Sequence, residues 1–265
     1  GYKIRTGNQI LNALRWTTGH GSAVNEINPA SFQPVEPFFG SAPPIVSPAQ
    51  FHESGFSSAH LRGGDYLGYW LPSSMPVLIN DSLNSGANFV YSYYDGLDKV
   101  GHIHGINDFY DAEVRFIDDL VGKILACVPN GTALIVTADH GLVDVDDSLV
   151  TLETAATDLA TALSGEARFL WFHSKRGAEA ELVEILEQLY SQNGWIRTRD
   201  QVLDEGWFGK QVSTIANSRL GDVALVARNP VAFVPAGKEG PKLKARHGSL
   251  TPAESYVPLM TMLKA

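Results

Sequence analysis

From residue 75 onward the chain alternates between two hydrophobic periods. "MPVLINDSLNSG" carries apolar residues at helical spacing and stops at Gly86, and residues 88–94, "NFVYSYY", follow as a strand. In "YDAEVRFIDDLVGKILACV", Val114, Ile117, Leu120, Val121, Ile124, Leu125 and Val128 recur every three or four positions behind a cluster of acids, which predicts a helix. Residues 132–137, "TALIVT", form a short continuous apolar run, the pattern of a strand covered on both faces. The alternation continues with a strand over 167–173, a helix over 177–194 and a strand over 221–227. Strand, helix and strand in succession imply parallel pairing through a crossover helix, and hence an α/β fold. Cys127 falls in the apolar stripe of the second helix and is expected in the core.

Residues 22–75 read differently. They are rich in Pro, Gly, Ser and aromatics without a sustained period, so loops with short strands and turns are expected, a region suited to shaping a pocket. Phe38, Phe39, Phe56, Tyr66, Tyr69 and Trp70 within it could stack a nucleobase or simply pack. Residues 142–240 carry their own strand and helix pattern and are read as a smaller α/β lobe. That lobe is inserted in a core made of residues 1–141 and 241–265.

Composition narrows the partners. The 265 residues carry a net charge of -9, which argues against a nucleic acid polymer or an anionic membrane as a bulk electrostatic partner. A small anionic substrate remains compatible if bound cations supply positive charge. One cysteine allows no internal disulfide and no thiolate metal cage, and no apolar run reaches membrane-spanning length. The chain opens "GYKIRTG", without methionine or a signal-type segment. A preceding segment is therefore expected, with a lean towards the cytoplasm; oligomeric state is left open.

Candidate chemistry gathers where the strands end. Residues 88–94 run into "DGLDKVGHIHG" and residues 132–137 run into "ADHG", and ligands of open α/β sheets bind outside the carboxyl ends of strands. Asp98 and His102 are four apart, so one helical turn places both on one side. Zinc commonly takes three nitrogen or oxygen ligands and keeps an open position; His247 in "KARHGSLTP" supplies a third, with Gly248 allowing a close turn. Taken singly, these are a solvated helix face, a turn and a loop histidine. In this order they point to a metal site, and three histidines argue against an oxygen-only calcium module.

"YYDGLDKVGHIHG", "LIVTADHG" and "RHGSLTPAESYVPLM" together resemble the alkaline phosphatase superfamily, in particular its type I phosphodiesterase/nucleotide pyrophosphatase branch. The resemblance extends over most of the chain from about residue 88. It implies a mainly parallel sheet with helices on both faces, two adjacent divalent metals (zinc, or manganese), and a Thr or Ser nucleophile. Carried over by motif, Asp98, His102 and His247 would bind one metal, and Asp139 and His140 the second. Lys99 and His104 match no ligand position and are expected beside the site or at the surface.

The resemblance also implies a further aspartate and a Pro-Thr-x-Thr nucleophile segment ahead of these motifs, and neither is visible. The second metal is then one ligand short and the alkaline phosphatase-like core incomplete at its N-terminus. Thr17 and Thr18 in "RWTTGHG" are substitute nucleophiles, although no aspartate or buried strand precedes them; Tyr2 and Arg246 are candidates to touch the phosphate. The expected activity is metal-dependent hydrolysis of a small-molecule phosphate ester, a phosphodiester or nucleotide pyrophosphate, through a nucleophile outside this chain. Phosphomonoester or phosphonate hydrolysis, and a metal-binding chain without catalysis, are the alternatives.

Overall fold

"FLWFHS" shows how the pattern becomes a core. In the computed structural model, which describes residues 3–145, 148–237 and 242–265, this strand (Phe169–Ser174) lies inside an antiparallel sheet. Successive side chains point to opposite faces. Leu170 and Phe172 therefore join Leu182, Leu186 and Tyr190 of the helix Glu179–Tyr190, with Leu225 and Phe233, while Phe169 and Trp171 pack with Val202, Ala224 and Val226. Covered on both sides, the strand needs apolar residues at consecutive positions.

The chain divides into two units. The first comprises residues 1–12, 101–105 and 140–257. Its sheet runs Gly194–Thr198, Val223–Ala227, Phe169–Ser174, Ala160–Glu166, Lys3–Thr6 and Gln9–Asn12, antiparallel at each pairing. The strands Ala160–Glu166 and Phe169–Ser174 are separated only by Ala167 and Arg168, and so short a connection makes a hairpin, never a parallel pair.

The second unit comprises residues 13–100, 106–139 and 258–265. Here the strand Pro44–Pro48 pairs in parallel with both Asp65–Tyr69 and Tyr91–Ser92. Met75 and Ile79 of the helix Met75–Asn84, and Leu120 and Ile124 of the helix Asp108–Cys127, cover it through Val46 and Tyr69. Asn107 caps the longer helix by accepting the Phe109 amide at 3.0 Å. No described helix is long and apolar enough to cross a membrane.

The α/β class holds, with three local corrections. Ala133–Thr137 is not buried on both faces: it pairs with Leu259–Leu263, turns Leu134 to the core and leaves Ile135 62% exposed. Cys127 is exposed at the helix end, its thiol 3.3 Å from the carbonyls of Pro76 and Ile124, because that helix buries only Leu120 and Ile124. The strand expected over 88–94 contracts to Tyr91–Ser92, which pairs with Pro44–Pro48.

Two stability predictions follow from the first core. Phe172 is fully buried, so Phe172→Ala should cost about 3–5 kcal/mol in urea unfolding. His173 is also buried, with Nε2 2.9 Å from the Ser164 hydroxyl, and burial with Arg5 nearby drives its pKa down to about 4. The unfolded chain binds this proton near pH 6.5 and the folded protein only near pH 4. Stability is therefore complete above pH 6.5 and falls as the pH drops through that window, by about 3 kcal/mol in all. His173→Gln should flatten this limb of the profile, and an unchanged slope between pH 7 and 4.5 would contradict it.

Candidate metal centre

The helix Gly96–His104 provides the first part of the site. Asp98 in its first turn and His102 in its last lie one turn apart on one face. Lys99 is turned away to an ion pair with Asp95 at 2.7 Å and lies over the Phe51 ring. His104 closes the helix, half-buried.

Backbone bonds then stitch three stretches of the first unit together. The Lys244 amide donates to the His102 carbonyl at 2.9 Å, and His102 Nδ1 is 2.8 Å from the Ala245 carbonyl oxygen. Ala245 and Arg246 pair antiparallel with Asp144 and Val143, the continuation of the chain beyond His140. As a result His102, His140 and His247 converge: the rings of His140 and His247 stack at 3.5 Å with 10° between their planes, and His102 lies 5.3 Å from His247.

The Nδ1 atoms of all three rings turn towards protein oxygen. His102 Nδ1 meets Ala245 O, His140 Nδ1 is 3.0 Å from Gly141 O, and His247 Nδ1 is 4.0 Å from Glu166 Oε1. For His102 and His140 such a contact orients the ring, whereas His247 Nδ1 lies beyond hydrogen-bond distance of Glu166. Burial, then the neighbouring His140 and His102, push the His247 pKa down to about 3. It is therefore neutral at ordinary pH, the form that binds metal. Asp98 stands on the same helix as His102, one turn away.

Two glycines let the histidine loops close. A Cβ on Gly141 would come within 2.0 Å of the Ala253 carbonyl oxygen, while Gly248, at φ +115°, has the Glu166 carboxylate where a side chain would go. Below them Arg168 and Glu254 form a fully buried ion pair, Nε to Oε1 at 2.6 Å and Nη2 to Oε2 at 2.6 Å. Glu254 Oε1 accepts the Ser249 amide at 3.0 Å, Oε2 accepts the Thr251 hydroxyl, and the Glu254 carbonyl accepts the Gly141 amide at 2.8 Å.

In the second unit, Asp139 directs its charge at Tyr91 and Tyr93, and Asp95 and Asp98 also face Tyr93. Burial first, and these carboxylates next, raise the pKa of the Tyr93 phenol. Thr17 and Thr18 form part of a short hairpin with Gly21–Ser22 in the second unit, both half-buried. Arg246 is half-buried next to His247, and Tyr2 lies outside the described residues. Of the loop aromatics, Tyr69 is buried, Tyr66 stacks on His52, and Phe39 and Trp70 are exposed.

Sequence reasoning gave no role to Glu166, Arg168 or Glu254. Glu254 stands inside the quoted motif "RHGSLTPAESYVPLM", but its partner is 86 residues away and nothing local marks it.

The fold has solved relatives. Murine ectonucleotide pyrophosphatase/phosphodiesterase 5 superposes with a TM-score of 0.66 at 16% identity over 83% of this chain, and the human protein with 0.64 at 18% over the same share. Phosphonoacetate hydrolase from Sinorhizobium meliloti 1021, in complex with phosphonoformate, gives 0.56 at 13% over 84%. This chain spans 60% of the length of the first two and 65% of the third. A search of curated proteins by sequence gave no match. The sequence model of type I phosphodiesterases/nucleotide pyrophosphatases matches residues 33–250, most of the chain. The protein belongs to that family.

Proposed function

We propose that this chain is the metal-holding part of a phosphoryl-ester hydrolase acting on phosphodiesters or nucleotide pyrophosphates, with Asp98, His102 and His247 binding one divalent ion and Asp139 and His140 contributing to a second. The observation that carries the reading is the convergence of His102, His140 and His247, with Asp98 one turn from His102. Imidazole and carboxylate suit zinc, and manganese less closely. Two bound ions would polarise a phosphoryl oxygen and stabilise charge at the attacking and leaving oxygens.

The residues of the chain have definite parts in this scheme. Gly141 and Gly248 let the histidine loops turn against their neighbours, and the Ala245 carbonyl would hold His102 Nδ1 so that Nε2 faces the ion. Arg246, beside His247, would contact a substrate oxygen. The second ion receives only Asp139 and His140 from the motifs. Neither its remaining ligand nor the Thr or Ser nucleophile is assigned to a residue of these motifs. An AMP complex of the murine relative supports a nucleotide-type substrate.

Zinc titration of the metal-free chain by calorimetry should show about one tightly held ion, with His247→Ala or Asp98→Ala lowering affinity more than about 100-fold, beyond the range typical of outer-shell changes. Zinc uptake unaffected by either change would remove the ligand assignment. Against a chromogenic aryl phosphodiester with zinc, this chain alone should turn over weakly. Brisk hydrolysis abolished by Thr17→Ala or Thr18→Ala would instead place the nucleophile within it.

A further inference from the structure

The hairpin tip at residues 166–168 grips the loop of His247 in two places. Glu166 ends the strand Ala160–Glu166, and its carboxylate lies against Gly248 and 4.0 Å from His247 Nδ1. Two residues on, Arg168 reaches the opposite side of the same loop and meets Glu254 through two parallel bonds of 2.6 Å. The arginine is itself held: Nη1 donates to the carbonyls of Val231 at 2.6 Å and Asn229 at 3.0 Å, and the Arg168 carbonyl accepts the Ala227 amide at 2.9 Å. The Ser249 hydroxyl, buried, donates to the Ala227 carbonyl, which ties the loop to the same strand end.

Glu254 uses every acceptor it has. Besides Arg168, its carboxylate takes the Ser249 amide and the Thr251 hydroxyl, so residues 249–251 are wrapped around it immediately after His247 and Gly248. Its backbone carbonyl takes the Gly141 amide, the residue after His140. Gly141 packs so closely on Ala253 that no side chain fits between them. One residue thus fastens both loops whose imidazoles stack at 3.5 Å. A guanidinium–carboxylate fork fixes direction as well as distance, and here it is shut away from water.

We propose that Arg168 and Glu254 act as a positioning pair for the metal centre: together they set the separation and orientation of the His140 and His247 rings, and so the affinity and coordination geometry of the ion. This rests on the ligand assignment proposed above. Neither residue touches the ion, and the effect reaches it through the histidine loops.

The test is metal binding by the full chain, with Zn2+ affinity measured by competition against a chromogenic chelator and coordination geometry by the visible absorption of the Co2+ form. Arg168→Met combined with Glu254→Leu removes both charges together, a replacement that buried ion pairs often tolerate. Folding of each variant is checked by circular dichroism and its melting temperature. The double variant should fold yet bind Zn2+ about 10- to 100-fold more weakly, the range seen when groups that orient metal ligands are lost, and its Co2+ spectrum should shift.

Thr251→Val withdraws one hydroxyl from Glu254 without stranding a charge. It should weaken Zn2+ about threefold, which supplies an answer even if the double variant does not fold. Wild-type affinity and an unshifted Co2+ spectrum in the double variant, or in Thr251→Val where only that variant folds, overturn the proposal. A lowered melting temperature with unchanged metal binding also overturns it and leaves the pair as structural support. Absence of Zn2+ binding by the unaltered chain would sink the ligand assignment and the positioning role together, whereas binding abolished by His247→Ala but indifferent to Arg168 and Glu254 would sink the positioning role alone.

Discussion

A buried ion pair with both side chains shut off from solvent, Arg168 with Glu254, is the constraint on which the candidate centre depends. Removing two charges from water costs several kcal/mol each, and only good geometry with further hydrogen bonds offsets it. Both conditions are met. The carboxylate is satisfied by a two-pronged arginine, an amide and a hydroxyl, and the guanidinium by the same carboxylate and two carbonyls. A hydrophobic replacement could fill the space as stably, but it could not hold Ser249 and Thr251 in place. What the pair contributes beyond stability is the shape of the loop after His247.

That shape matters because three imidazoles are gathered where positive charge is unwelcome. With His140 stacked at 3.5 Å and His102 beyond it, a proton on His247 would face its neighbours in a poorly solvated pocket, and the folded protein suppresses it. A neutral His247 ring is the form that would accept a cation. Around the imidazoles the charge is negative: Asp98 on the helix, Glu166 beside His247, and an overall excess of -9. Under the proposed function, a phosphate ester approaching such a surface without cations would be repelled, so bound cations would be needed to hold the anion.

The sequence disclosed the periodic and the adjacent, and little else. Leu182, Leu186 and Tyr190 at helical spacing and the continuous run "FLW" named their elements because each buries a repeating face. Asp98 with His102, and Asp139 with His140, could be nominated from the sequence because their spacing is local. His247 could be nominated only through its motif. Topology was less legible: "TALIVT" looked like a strand covered on both faces, but hydrophobicity states what a strand tolerates and not which neighbours cover it, and Ile135 remains exposed. Arg168 carried no signal, since a charged residue in a two-residue turn reads as solvent-facing until its partner 86 positions away is placed beside it.

The proposed ligands differ in what holds them, and this bears on where such a centre would be vulnerable. Asp98 and His102 are related by one turn of the helix Gly96–His104, so their mutual geometry is set by backbone hydrogen bonds that need no tertiary contact. His140 and His247 stand on loops with no such internal ruler. Their approach is determined by two glycines, by the antiparallel pairing of Ala245 and Arg246 with Asp144 and Val143, and by the wrap of residues 249–251 around Glu254. Loss of one backbone bond in the helix would be shared among its neighbours, whereas loss of one anchor in the loops falls on fewer remaining contacts. Variation in metal affinity among related chains should therefore trace to the surroundings of His140 and His247 more than to the helix, even though the helix carries the more recognisable motif.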